Sequence, residues 1–165
     1  MPSATTQGEV RAQLLRHFTE TLQAVPAATL EAVPAELALA LRHPDLPAAA
    51  FHRGVRLPWD ESDPDNLLEF FDIRYWVLGA TPDTSDRYFD LVLRAWAAQG
   101  WAIRTDRDAR PRTGYTQTSD GYGLTLTQSV NGYLSLAGST PPFAPDSDEG
   151  SPLPARIDRP ADPSN

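Results

Sequence analysis

Five acidic side chains between residues 61 and 72 have the spacing of an EF-hand calcium loop. Loop positions 1, 3, 5, 9 and 12 are held by Glu61, Asp63, Asp65, Glu69 and Asp72. Position 6 is Asn66 where the sharp turn uses Gly, and Asp72 is shorter than the usual bidentate Glu. The flanks favour a proline-rich loop and a strand rather than two helices. An acidic loop entering a strand is therefore the simpler interpretation, and a calcium site or metal-dependent hydrolysis by acidic residues of 60–72 is the alternative.

Other catalytic patterns are absent from the sequence. The chain has no cysteine, and all of its basic residues are Arg, which excludes thiolate, disulfide and Schiff-base chemistry. No Gly-x-Ser-x-Gly motif occurs, and Gly121-Tyr122-Gly123 lacks the third glycine of a dinucleotide-binding loop. The histidines at 17, 43 and 52 are far apart, and we expect His17 to be half-exposed on its helix. We expect no enzymatic activity, no cofactor and no metal site.

Two tryptophans are the side chains best suited to contact another protein. Trp59 stands in the acidic loop, and Trp76 falls on a strand face that also carries Asp72 and Arg74. Exposed Trp beside charges is typical of interface hot spots. Coverage of Trp76 by the first helix or by residues 27–58 is the simpler interpretation, because large exposed apolar patches are rare on soluble monomers. The candidate binding residues are Trp59, Asp60, Glu61, Asp63 and Trp76.

The overall charge limits the class of partner. The net charge is −8 and the pI is about 4.7. Nucleic acid and anionic membranes require a basic face, so we expect neither to bind. A protein partner of basic charge fits better. The N-terminal sequence has no basic stretch followed by an apolar run, and no apolar run reaches membrane-spanning length. We therefore expect a cytoplasmic location.

Two helices and a strand are predicted from periodicity. Thr6 with an acidic residue three positions on forms a capping-box pattern, and it opens a helix that Pro26 ends. Residues 85–99 predict a second helix with an apolar stripe. Between the helices, residues 34–43 could form a short helix, and residues 69–78 alternate as a strand.

The segment 111–138 contains two turn signals and predicts a three-stranded meander. A two-residue turn at Asp120-Gly121 would set Tyr115 opposite Leu126. A three-residue loop ending at Gly132 would set Leu126 opposite Leu136, which keeps the leucines on one face.

The fold class that follows is α+β. We predict a single domain over residues 6–143, with a four- to five-stranded, mostly antiparallel sheet packed by one central helix, plus the N-terminal helix. Residues 144–165 are rich in Pro, Asp and Ser, and we expect a disordered tail whose removal leaves stability unchanged.

Four short motifs resemble those of a group of small, mostly uncharacterised actinobacterial proteins, many of them exported or lipid-anchored. The motifs are "LQAVP", "LRAWAAQGW", "DGYGLTL" and "STPPF", and they fall within residues 9–143. The resemblance implies an immunity-type or accessory protein-binding module, with no catalytic residues to carry over. Relatives often place a cysteine in a Ser-Pro-Cys-Phe-like ending and another in the acidic loop. Here these places hold Pro142 and Trp59, so the resemblance implies that the two residues lie close together.

Overall fold

The computed structural model describes residues 6–25, 29–32, 55–60, 62–63, 65–150, 153–154 and 156–158. The predicted short helix at 34–43 and the candidate Glu61 lie outside the described residues. Within them, the helices are α1 (Gln7–Gln23) and α2 (Ser85–Ala98). The strands are β1 (Thr29–Ala32), β2 (Val55–Pro58), β3 (Glu69–Leu78), β4 (Ile103–Thr105), β5 (Arg112–Gln117), β6 (Gly123–Gln128), β7 (Leu134–Ser139) and β8 (Arg156–Asp158).

The strands form one antiparallel sheet in the order β4-β5-β6-β7-β3-β1-β8, and β2 also pairs with β3. The α+β class is therefore confirmed. The predicted strand count of four to five is too low, because β1, β2 and β8 each have only three or four residues and give no readable period. The prediction of one central helix is also wrong, since α1 packs on the sheet as fully as α2 does.

Helix α1 begins and packs as predicted. Thr6 Oγ1 accepts from the Glu9 amide, and the Glu9 carboxylate reaches back to the Thr6 amide, which completes the capping box. The predicted stripe is buried throughout, with exposures of 0 to 2%. It consists of Val10, Leu14, Phe18, Leu22 and Val25.

The core lies between the two helices and one face of the sheet. Phe71, Ile73, Tyr75 and Val77 of β3 alternate onto this face, as predicted, and Phe18 of α1 meets Tyr75 edge to face at 5.1 Å. Helix α1 passes so close to β7 that a Cβ at Gly138 would come within 2.6 Å of the Phe18 ring. Because residue 138 is glycine, α1 can pack this close to β7.

Both turns of the meander are three-residue loops ending in a glycine with positive φ. The φ angles are +93° at Gly121 and +87° at Gly132, the left-handed region that glycine adopts without penalty. The loop at 130–132 pairs Leu126 with Leu136, as predicted. The two-residue turn at Asp120-Gly121 is wrong, because Gly114 and not Tyr115 faces Leu126. This register keeps Leu126 on the core face and turns Tyr115 away from it.

Strands β1 and β2 pair with the same edge of β3. Strand β1 runs along residues 75–78 of β3, and β2 runs along residues 69–72. The two paired stretches of β3 are separated by Ile73 and Arg74.

The segment after Phe143 is not the predicted tail, so the domain boundary at 143 is wrong. Strand β8 pairs with β1, and Leu153 and Ile157 are buried with exposures of 8% and 5%. The Tyr75 hydroxyl donates to the Pro154 carbonyl at 2.8 Å. The composition of the segment is polar, but two apolar side chains in the right places are enough to attach it to the core.

The same segment also completes the first turn of α1. The Gln7 amide donates to Ser147 Oγ at 2.9 Å, and the Gly8 amide donates to the Asp148 carbonyl at 2.7 Å. Amides of a first helical turn have no partner within the helix. Residues 144–150 therefore satisfy polar groups that would otherwise depend on water.

Candidate protein-binding surface

The sheet has an inner face, which both helices cover, and an outer face on which no described helix packs. Strand alternation places every second residue on the outer face. From β3 these residues include Asp72, Arg74 and Trp76, as the sequence predicted. Helix α1 packs on the inner face and so does not cover Trp76. The expectation that the first helix could cover this side chain is therefore wrong. The indole of Trp76 is half-buried.

An apolar groove lies at the end of β3 on this outer face. It has a volume of about 380 Å³ and is lined by Trp76, Val77, Leu78, Gly79, Ala80, Tyr133 and Leu134. We call it the Trp76 groove. Leu78 and Tyr133 are 37% and 46% exposed, which is unusual for large side chains placed beside one another on a sheet. Grooves of this size with apolar walls accept side chains of partners.

Arg74 occupies the middle of the outer face. Its guanidinium donates to Ser135 Oγ at 3.2 Å and to Thr127 Oγ1 at 3.4 Å, across β7 and β6. Burial lowers the pKa of Arg74, and the neighbouring carboxylate of Asp72 opposes that change. An arginine stays protonated under all ordinary conditions, so the outer face carries a fixed positive charge beside the groove.

A second cleft lies across β4, β5 and β6. It measures about 580 Å³ and is lined in part by Arg104, Tyr115, Gln117 and Thr125. The Arg104 guanidinium lies 5.4 Å from the centre of the Tyr115 ring, which is 37% exposed. This pairing is a cation–π contact. The walls of this cleft carry more polar side chains than those of the Trp76 groove.

The acidic loop is held by its own carboxylates. Asp60 accepts from the amide and hydroxyl of Ser62, at 3.0 and 2.6 Å, and Asp63 accepts from the amide of Asp65 at 3.0 Å. These are Asx turns, in which the side chain satisfies the backbone two residues on. The hydrogen bond from the Ser62 hydroxyl is the main reason that the pKa of Asp60 lies below its ordinary value.

Those residues of the calcium-like spacing that the structure describes do not converge on one point. Glu69 and Asp72 are three residues apart on β3 and so lie on opposite faces of the sheet. Within the described part of the chain, no group of three His, Cys, Asp or Glu side chains could hold a metal ion. The alternative function in the acidic residues of 60–72 therefore has no geometric support in these residues.

The four predicted binding residues that the structure describes, Trp59, Asp60, Asp63 and Trp76, are split between two places. Trp59 is 48% exposed, and its ring meets Phe70 edge to face at 5.9 Å, beside Asp60 and Asp63. Its amide donates to the Leu68 carbonyl. Trp76 lies eight residues after Leu68 in the chain. At about 3.3 Å per strand residue, Trp76 is roughly 26 Å from the level of Trp59. The two tryptophans therefore cannot form one small site.

Trp59 and the residues next to Pro142 flank the same end of β3 on its two sides. Trp59 precedes the acidic loop on one edge of β3, and Phe143 bridges to Glu69 on the other edge. Two strand spacings of about 4.8 Å separate such positions. Two such spacings exceed the usual 4.4–6.8 Å between the Cα atoms of a disulfide. Strand β3 therefore lies between the two positions that the resemblance pairs.

His17 is buried, not half-exposed as predicted. Only 6% of its surface is accessible, and it packs between the rings of Trp101 and Tyr122, at 5.7 and 5.0 Å. Its Nε2 lies 3.1 Å from both carboxylate oxygens of Asp120. The sequence did hold a signal, because residue 17 is seven positions after Val10 and therefore on the same helix face.

The two exposed large side chains of the Trp76 groove, Leu78 and Tyr133, were not among the predicted binding residues. Tyr133 follows the second turn, and Leu78 ends β3. The alternation that placed Trp76 on the outer face also places Leu78 there. Tyr133 could be added only once the three-residue loop had fixed the register of β7 against β6.

Comparisons with protein-family models, with curated proteins and with solved structures found no match. The described helices include none with the length and apolar character that a membrane crossing requires. The functional interpretation therefore depends on the geometry of this chain.

Proposed function

We propose that the chain is a non-enzymatic protein-binding module and that the outer face of its sheet is the binding surface. The observation that carries the proposal is the Trp76 groove, where Leu78 and Tyr133 stay more than a third exposed beside a half-buried Trp76. Aromatic side chains that surround an apolar pocket are typical anchors of protein interfaces. An apolar side chain of the partner would enter this groove.

Charge supports the same kind of partner. The chain has a net charge of −8, and Asp60, Asp63 and Asp65 lie in the loop at the other end of β3. A basic partner would be attracted at long range to the net negative charge of the chain as a whole, and charge of this kind affects association rate more than final affinity. An immunity-type or accessory role in the cytoplasm fits such a module.

Site-specific photocrosslinking tests the proposal in cells that express the chain. The photoreactive amino acid p-benzoylphenylalanine replaces Leu78 in one variant and Arg94 in a second. Arg94 is the matched control because it is exposed on α2, on the opposite side of the sheet. We expect one protein to be crosslinked through position 78 and not through position 94.

The crosslinked protein should be basic, and mass spectrometry would identify it. Crosslinking from both positions to the same mixture of abundant proteins would contradict the proposal, as would no product from position 78.

A further inference from the structure

Strand β4 is the last strand at one side of the sheet, and of the described strands only β5 pairs with it. The Asp106 amide, next after β4, donates to the Thr113 carbonyl on β5 at 3.2 Å. Backbone groups of every second residue in an antiparallel ladder point to the same side, so those of Arg104 also face β5. The amides and carbonyls of Ile103 and Thr105 therefore point away from β5, along the open edge.

Each face of the sheet has a cleft beside this edge. The cleft of about 580 Å³ that contains Arg104 and Tyr115 lies on the outer face. On the inner face, a cleft of about 420 Å³ lies between β4 and α2, with Leu93, Ala97 and Ile103 among its lining residues. We call these the Arg104 cleft and the α2 cleft. Successive side chains of a strand point to opposite faces, so a strand added beside β4 would place alternate side chains in the two clefts.

The charged side chains near β4 do not shield its edge. Short strands and charged residues often keep sheet edges from pairing, and β4 has three residues, of which one is Arg104. The Arg104 guanidinium, however, lies over the Tyr115 ring of β5, at 5.4 Å from its centre. The Asp106 carboxylate likewise accepts from the Thr113 amide of β5, at 2.7 Å. Both charged groups are directed into the sheet, and the edge beside them stays open.

We propose that the open edge of β4 binds an extended segment of a partner protein, which adds a strand to the sheet and places an acidic side chain beside Arg104. Main-chain hydrogen bonds to Ile103 and Thr105 would hold this segment, and the two clefts would select its side chains. An apolar side chain suits the α2 cleft, because Leu93 and Ala97 contribute to its lining.

Arg104 gives the preference for an acidic side chain. It is exposed, and it forms no ion pair with a carboxylate of the described residues. In an antiparallel arrangement, the partner residue opposite Arg104 would belong to a non-hydrogen-bonded pair, in which side chains are closest. Opposite charges at such a pair are stabilising. The net charge of −8 acts on a partner as a whole, whereas Arg104 acts on the one side chain that it contacts.

A second copy of the chain fits this edge poorly. The antiparallel register that pairs all three residues of β4 with the same strand of another copy would set Arg104 opposite Arg104. Like charges directly opposite each other destabilise a strand pair. The charge therefore favours a different protein with an acidic residue at this position.

Selection of random linear peptides displayed on phage, with the purified full chain as bait, tests the proposal. We expect enriched peptides to carry Asp or Glu at one position and apolar residues on either side of it. When such a peptide binds, the amides of Ile103 and Thr105 should become protected from hydrogen exchange, whereas the amide of Arg104 is protected by β5 beforehand. No enrichment, or no new protection at Ile103 and Thr105, would overturn the proposal.

Substitutions in β4 separate the backbone contribution from the charge. Thr105→Pro removes an amide that points outward and keeps the pairing with β5, because proline is tolerated where an edge amide faces solvent. We expect the selected peptides to bind it at least about tenfold more weakly, since a main-chain hydrogen bond is lost. Thr105→Val keeps the amide and should bind as the wild type does. Equal affinity of Thr105→Pro and the wild type would overturn the proposal.

Arg104→Glu changes the charge and leaves the backbone groups of the edge in place. Selection on this variant should replace the acidic residue of the peptides by Lys or Arg. An unchanged preference for Asp or Glu would contradict the role of Arg104.

The Trp76 groove is the control for position, because four strand spacings of about 4.8 Å separate β4 from β3. Leu78→Ser combined with Tyr133→Ser should bind the selected peptides as the wild type does. Loss of binding in this variant would assign the peptides to the groove, which overturns the proposal for β4 and leaves the proposed binding surface intact. A dimer of the chain that Thr105→Pro dissociates would show a second copy at the edge and would overturn the proposal as well. Arg94 lines the α2 cleft, so a crosslinker there should capture the owner of this segment and not the partner of the groove.

Discussion

The same strands form both faces of the sheet, yet the two described helices pack on only one of them. The inner residues of β3 are 0 to 9% exposed beneath α1 and α2. The outer residues of the same strand lie beside serines, threonines and an arginine, and the apolar side chains gather at the two ends. The inner face therefore holds the core of the described residues, and the proposed binding surface lies on the outer face. Substitutions on the two faces should separate stability from binding.

The largest effect is expected from truncation after Phe143. This change removes the buried side chains of Leu153 and Ile157 and the pairing of β8 with β1. Loss of one buried Leu or Ile side chain costs about 2–5 kcal/mol, so the free energy of unfolding should fall by more than about 4 kcal/mol. Urea denaturation measures it. An unchanged midpoint would mean that the segment is a tail after all.

Trp96→Ala should be the next largest. Trp96 is 1% exposed on the inner side, and its indole N–H donates to Thr21 Oγ1 at 3.0 Å. We expect a loss of about 3–5 kcal/mol, the range for a buried large aromatic. Arg94→Ala on the exposed side of α2 is the matched control and should cost little. If the two variants were equally stable in urea, the orientation of α2 would be wrong.

A smaller effect is expected at Asp120, and it should depend on pH. The pKa of Asp120 is lowered in the folded protein, so the unfolded chain binds the proton more tightly. The resulting stability is present above the ordinary value of 3.8 and is lost as the pH falls through the lowered pKa. Denaturation of the wild type and of Asp120→Asn should therefore converge on acidification. Parallel curves would show that Asp120 contributes no such stability.

The smallest effect on stability is expected at the Trp76 groove. Leu78→Ser combined with Tyr133→Ser replaces two side chains that are more than a third exposed. Surface changes of this kind are usually within about 0.5 kcal/mol each, so the pair should change the free energy of unfolding by less than about 1 kcal/mol. A loss comparable with Trp96→Ala would place these side chains in the core.

The elements that were predicted correctly are those long enough to show a repeating pattern of apolar residues on one side. Helix α1 has four apolar residues at helical spacing, and Val25 continues the stripe just beyond its end. Strand β3 has four alternating apolar residues, so both elements were predictable from the sequence. Strands β1, β2 and β8 are too short to show alternation. The register at Gly121 was missed because the turn residues allow loops of two or three residues, and only packing of Gly114 beneath Leu93 of α2 decides between them.

The candidate surface was predictable to a lesser degree. Alternation along β3 was enough to place Trp76 with Arg74. The distance between Trp59 and Trp76 also follows from the rise per residue of a strand, once Trp59 is placed beside the start of β3 and Trp76 near its end. The burial of His17 depends on contacts from Trp101 and Tyr122, which are distant in sequence and meet only in the folded chain.

The most direct measurement is the affinity of the purified crosslinked partner for three forms of the chain. These are the wild type, the Leu78→Ser/Tyr133→Ser variant and Leu67→Ser, a matched change of an apolar residue that is 73% exposed in the acidic loop. Truncation of anchor residues commonly costs 2 kcal/mol or more, so we expect affinity to fall at least about 30-fold for the groove variant. Leu67→Ser should bind as the wild type does. Equal affinity of the groove variant and the wild type would contradict the assignment of the outer face as the binding surface.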